Sequence, residues 1–279
     1  TNAPGEYAMK QVVLALCLCF APALAMADVA SAPLIDVHLH DHGAVPPAMR
    51  ERVAVTVMSV TTREGFRTDA GIAGTVLRGP AFPCHAGRIR NEAPCFPESD
   101  GWPDIEWLRA EHAAGRLHSL GELLYVYAGI DPADPRLAPY FALAEELDLP
   151  VGVHVGRGPP PDRRPPGCCP DFNDDLGDPL RLAPVLQRHP RLRLYLMHVP
   201  GWDYVDQTIA LMHAWPGVYA EASVVNSVVP PEAHAAAVRR LFDEGLGHRL
   251  MLGSDNVPLD RIVARIEALD FLDEAQKRG

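Results

Sequence analysis

Leu34-Ile35-Asp36-Val37-His38-Leu39-His40 is a short apolar run that ends in His-x-His. Side chains two apart in a β-strand point to the same face, so His38 and His40 project together from the end of a buried strand. Two neutral imidazoles on one face can hold a divalent transition metal. Histidines at this spacing also arise by chance. The motif gains meaning only if other ligands wait at the ends of other strands.

Outward from this run, apolar stretches recur between helical patterns. Strand candidates are 33–38, 53–59, 75–82, 119–125, 150–155, 192–198, 217–222 and 249–254, short and rich in Val, Leu and Ile as strands buried on both faces should be. Helical patterns cover 102–115, 136–147, 178–188, 203–214, 231–244 and 258–268. Asp178-Pro179 and Pro230-Pro231-Glu232 are start signals for two of them. Strands alternating with helices imply an α/β fold with parallel strands and crossover helices. Eight strand candidates in one domain fit a (β/α)8 TIM barrel. A doubly wound open sheet is the runner-up; no Gly-x-Gly-x-x-Gly follows a strand, which disfavours its dinucleotide-binding version. The third strand is the weakest candidate, and the stretch between strands 2 and 4 is irregular, so some distortion is expected.

The C-terminal ends of the other strands carry the partners that the first motif requires. Strand 4 holds Gly121-Glu122, strand 5 ends in His154, strand 6 in His198, and strand 8 in Asp255. Each alone has an ordinary explanation. A lone histidine after an apolar run is more often a hydrogen-bonded core or cap residue. Asp255 suits an N-cap or Asx-turn, and Glu122 suits a structural ion pair. A parallel barrel, however, brings all its strand C-termini to one mouth. Imidazoles and carboxylates converging there are costly unless they pair or bind metal. His112, His189, His213, His234 and His248 fall in helices or connections and are expected at the surface.

With these residues in order, the chain from about residue 33 onward resembles the amidohydrolase superfamily, in its amidohydrolase-2 (amidohydrolase-related) branch of metal-dependent TIM-barrel hydrolases. The resemblance rests on Asp36-Val37-His38-Leu39-His40, Gly121-Glu122, Leu149 to Gly156, Leu196-Met197-His198 and Gly253-Ser254-Asp255. It implies metal ligands at His38, His40, His154 and Asp255, with Glu122 as a further ligand for a second metal. Asp255 would also take the proton of a metal-activated water, and His198 would orient or polarise the substrate or bind the second metal. The expected ion is Zn²⁺, with Mn²⁺ or Fe²⁺ suited to the same donors. The expected reaction is hydrolysis of an amide, ester or lactone bond. A metal-dependent decarboxylase on the same scaffold is the nearest alternative, and a catalytically silent metal- or ligand-binding barrel is another. Arg157, Trp202 and Tyr204 follow strands 5 and 6 and are candidate substrate contacts, with plain loop packing as the alternative. Family members usually continue past Gln276-Lys277-Arg278-Gly279 into an Asn-Ala segment, so the last helix is expected to be truncated.

Charge and cysteines bound the setting. The 279-residue chain carries a net charge of −11, which argues against nucleic-acid partners and anionic lipid. Small-molecule substrates are expected, and self-association is left open. Met9-Lys10, an apolar run from Val12 to Ala27 and the small-x-small Ala25-Met26-Ala27 read as a signal peptide over 9–27. Residues 1–8 then read as an upstream remnant, and 28–279 as a single barrel domain exported to the periplasm or secreted, with no stable membrane anchor after cleavage. In an oxidising compartment Cys84–Cys95 is a candidate loop disulfide, while the neighbours Cys168 and Cys169 are free or pair elsewhere. The loops 84–101 and 156–177 follow strands 3 and 5 and are expected to shape substrate access.

Overall fold

Eight short runs rich in Val, Leu and Ile form parallel strands in a computed structural model that describes residues 32–40, 45–68, 71–84, 88–89, 93–158, 170–199 and 203–278. The strands are β1 (Leu34–His40), β2 (Val53–Val60), β3 (Thr75–Pro80), β4 (Leu120–Leu123), β5 (Val151–His154), β6 (Leu194–Met197), β7 (Val218–Glu221) and β8 (Leu250–Met251). The expected signal segment, Cys168, Cys169 and Trp202 lie outside the described residues.

β1, β2 and β3 form one parallel sheet, and β4 to β8 form another in chain order. Two seams join them. At the first, Phe82 bridges Leu123, with Phe82 N donating to Glu122 O at 3.0 Å and Leu124 N to Phe82 O at 2.7 Å. At the second, Leu39 bridges Asp255, and Val37 N donates to Leu252 O at 3.0 Å. The circle of eight strands is a (β/α)8 barrel.

Helices cover the later strands: α1 (Ile105–Ala113), α2 (Ala138–Leu147), α3 (Ala183–Arg188), α4 (Val205–Ala214), α5 (Val225–Val228), α6 (Pro231–Asp243), α7 (Leu259–Glu267) and α8 (Glu274–Arg278). Their starts follow local chemistry. The Asp104 side chain accepts from Trp107 N at 2.8 Å and caps α1, and Asp178 caps the 3-10 turn that leads into α3. Leu120, Leu123, Val151, Val153, Leu194, Leu196 and Val218 are buried where strands meet helices. Each such side chain contributes about 1.5–3 kcal/mol.

The expected distortion has a clear location. Among the described residues, only the 3-10 turn Pro47–Met49 lies between β1 and β2, and no α-helix lies between β2 and β3. The third strand is nonetheless regular, paired with β2 from Thr75 to Pro80. The irregular stretch after it is closed by a Cys84–Cys95 disulfide around a hairpin of Arg88–Ile89 and Ala93–Pro94. Among the described residues, no helix is long and apolar enough to cross a membrane.

A buried acid fastens the second seam. Ser254 Oγ donates to Asp36 Oδ2 at 2.5 Å, Ser254 N donates to Oδ1 at 2.9 Å, and His38 N donates to Oδ1 at 3.2 Å. Burial pushes the Asp36 carboxyl from 3.8 up to about 6, against the bonds from Ser254 and His38 that pull it down. A raised folded-state value means stability that is complete below the unfolded value and lost as pH rises through the folded one. Asp36→Asn keeps an acceptor oxygen but cannot ionise. The unfolding free energy of the wild type should therefore fall relative to the variant, by on the order of 2–3 kcal/mol between about pH 4 and about pH 6, in denaturant titrations. A constant difference across that range would contradict this role.

Candidate metal centre

Period-two geometry builds the first wall of the site. Asp36, His38 and His40 are buried inside the barrel, while Ile35, on the strand's other face, is 56% exposed. Glu122 of β4, His154 at the end of β5, His198 just past β6 and Asp255 just past β8 are buried at the same mouth. All six candidate ligands are thus brought together from five strands. His198 (φ 66°) and Asp255 (φ 54°) both hold left-handed backbone, uncommon for residues with a side chain and concentrated at functional sites.

Glu122 is the hub. Its Oε1 lies 2.6 Å from His154 Nδ1 and 3.0 Å from His198 Nε2. Its Oε2 lies 3.1 Å from His40 Nε2 and 3.7 Å from His38 Nε2. His40 Nε2 is also 3.2 Å from Asp255 Oδ1 and 3.4 Å from His38 Nε2. Three sets of three can each converge on one ion, with ligand atoms within 4.8 Å of one another: His38, His40 and Asp255; Glu122, His154 and His198; and His38, His198 and Glu221.

The electrostatics call for a cation. Burial alone pushes Glu122 up, but four surrounding imidazoles outweigh it and hold the carboxyl well below the usual range. Burial likewise raises Asp255, and His38, His40 and His198 overcome it to leave the group lowered. Burial pushes His38 down, yet Glu122 and Glu221 hold it well above its ordinary value. A buried carboxylate is tolerated only against positive charge. A proton on the imidazoles supplies that charge, and so does a divalent metal bound by neutral imidazoles and carboxylates. The donor set fits Zn²⁺, Mn²⁺ or Fe²⁺.

Three site residues escape sequence reasoning. Glu221, the last residue of β7, is fully buried with its Oε2 at 3.2 Å from His38 Nδ1. Ser223 donates through both its N and its Oγ to the Glu221 carboxylate, the latter at 2.9 Å. Tyr127 packs edge-on against His154 at 4.9 Å and against Phe172 at 4.9 Å, forming an aromatic wall. Glu221 carried the same signal as the others, a polar residue closing an apolar strand.

The candidate substrate contacts form a separate group. The Arg157 guanidinium lies 5.1 Å from the Tyr204 ring centroid, and Arg157 N donates to Asp203 Oδ2 at 2.8 Å. Both follow barrel strands, and Arg157 is half exposed. Two histidines expected at the surface are buried. His189 sits against Glu145, 3.1 Å from its Oε2. His234 faces an apolar cavity beside Val238 and Val263, where burial and Arg265 push it down to about 4. His234 turns inward because α6 lays that face on the barrel, and His189 follows α3 directly, as its C-cap residue.

Gly253 makes room for the cluster. A Cβ there would overlap Glu221 Oε1 and lie 2.9 Å from His38 Cβ. Gly253→Ala should therefore cost about 1–3 kcal/mol in urea unfolding. An unchanged midpoint and slope would contradict this close packing.

Residues 100–279 match the family model described as amidohydrolase. The matched span holds Glu122, His154, His198, Glu221 and Asp255, and the barrel adds His38 and His40 to them. No curated protein matches the chain. A probable 2-pyrone-4,6-dicarboxylic acid hydrolase from Acinetobacter baumannii, crystallised with citric acid bound, has a TM-score of 0.55 at 14% identity, over 88% of this chain and 94% of its own. An amidohydrolase from Burkholderia multivorans with bound zinc has a TM-score of 0.55 at 16% identity, over 88% of this chain and 95% of its own. A metal-dependent hydrolase described from Lactobacillus casei has a TM-score of 0.51 at 14% identity, over 90% of this chain and 92% of its own. At such identities these likenesses establish the fold alone.

Proposed function

We propose that this chain, which belongs to the amidohydrolase family, is a metal-dependent hydrolase acting on an amide, ester or lactone bond of a small molecule. The observation that carries this reading is the division of Glu122, with Oε1 facing His154 and His198 and Oε2 facing His40 and His38. That division supports room for two ions: His38, His40 and Asp255 would hold the first, and Glu122, His154 and His198 would hold the second. Zinc is the expected ion. When bound, it would polarise the scissile carbonyl and raise the acidity of a water.

The chain's own residues supply the rest. Asp255 is kept ionised by the nearby imidazoles, and Asn256 Nδ2 donates to its Oδ1 at 2.6 Å. Asp255 would take the proton of the attacking water and pass it to the leaving group. His198 would help to orient and polarise the carbonyl group. Tyr127 and Phe172 would exclude water on the His154 side, and Arg157 and Tyr204 would contact the substrate, as would Trp202 on the sequence reading alone. The Cys84–Cys95 disulfide supports an exported protein.

Asp255→Asn should keep bound metal while turnover falls roughly 10²–10⁴-fold. Metal content and steady-state rates on a panel of esters, lactones and amides measure both. Unchanged turnover would remove Asp255 from proton transfer. Carbon dioxide released from aromatic or enoic acids would make the enzyme a decarboxylase. Bound metal without turnover on any substrate would leave a silent binding barrel.

A further inference from the structure

We infer that Glu221 and Ser223 act as one positioning unit that holds a proton on Nδ1 of both His38 and His198, so that both rings turn Nε2 to the centre. The inference rests on the metal-centre reading only for what the two Nε2 atoms are aimed at.

The hydrogen inventory carries it. Glu221 Oε2 has two neighbours that can donate to it: Ser223 Oγ at 2.9 Å and His38 Nδ1 at 3.2 Å. Ser223 N donates to the other carboxylate oxygen, so Oε2 is placed to accept from both neighbours: the single Ser223 hydroxyl hydrogen goes to Glu221, and His38 Nδ1 carries a hydrogen. Turned the other way, the hydroxyl would set an oxygen lone pair against Glu221 Oε2. With its hydrogen committed, Ser223 Oγ can only accept, from His198 Nδ1 at 3.0 Å and more weakly from His38 Nδ1 at 3.3 Å, whose hydrogen it shares with Glu221. His198 Nδ1 therefore carries a hydrogen as well. The remaining ring nitrogens point inward: His38 Nε2 lies 3.4 Å from His40 Nε2, and His198 Nε2 lies 3.0 Å from Glu122 Oε1.

Glu221 is itself close enough to His38 and His198 to be a ligand. Its oxygens, however, are already engaged by Ser223 N, Ser223 Oγ and His38 Nδ1. The carboxylate is held behind the imidazoles by its own turn, in the space that Gly253 leaves open. One buried acid thus reaches a ligand of each proposed metal position, His38 directly and His198 through a hydroxyl. Partners of this kind fix the tautomer and raise the basicity of ligand imidazoles, and their loss typically costs 10–100-fold in metal affinity.

Long-range ¹H–¹⁵N correlation spectra of the whole protein, with and without Zn²⁺, read the ring protons directly. Protonated Nδ1 on both His38 and His198 in both states is the expected result, and a bare Nδ1 on either would overturn the inference. Ser223→Ala should release His198 to mixed tautomers, and both it and Glu221→Gln should weaken zinc binding 10–100-fold by calorimetry. Ser223→Thr, which keeps the hydroxyl, should behave as wild type. Circular dichroism separates these effects from misfolding, and the wild-type spectra decide the matter if a variant does not fold. Wild-type affinity and tautomers in folded Ala and Gln variants would also overturn it. Wild-type protein that takes up no zinc would sink the metal reading instead, while the Nδ1 signals would still judge this one.

Discussion

A carboxylate with almost no exposure, Glu122, faces four imidazole rings at the barrel mouth, and most of the site follows from that constraint. A charge so placed is stable only if positive charge lies beside it. Protons on the histidines meet the need, and so would bound metal ions. Each Glu122 oxygen has its own pair of rings, which gives the cluster two lobes rather than one. Asp255 closes the first lobe through His40.

The barrel exists in the form that this cluster needs. β1 supplies two rings, and β8 must lie beside it for Asp255 to reach His40. That neighbourhood is held by the backbone bonds of the seam and by Asp36 gripping Ser254, the residue just before Asp255. Gly253, one residue earlier, leaves space for Glu221 to come up behind His38. Gly253-Ser254-Asp255 therefore carries three separate demands: room, a seam bond and a candidate ligand. The seam and the site cannot be altered independently.

Much of this was legible in the sequence. Short apolar strands ending in His or Asp point to a parallel barrel with those side chains gathered at one mouth, because period-two geometry and strand ends are local properties. Glu221 ends its strand just as visibly. Its partners, however, are His38, about 180 positions away, and a gap at Gly253, and neither distance nor gap is written in local pattern. His234 is buried, against the sequence expectation, for a related reason: α6 carries its apolar face inward, and the histidine rides on it. The hairpin between Cys84 and Cys95 has no period to read, since a disulfide rather than a repeating pattern closes it. The loops after strands follow no periodicity either, so Arg157 and Tyr204 can be named from the sequence but not placed.

The central claim is that the mouth of this barrel is a two-lobed metal centre organised by Glu122. The most direct measurement is the zinc retained per chain after chelator-stripped protein is saturated with Zn²⁺ and passed into metal-free buffer, counted by elemental analysis. The account predicts two equivalents per chain for the wild type. Folded protein that retains none would contradict it.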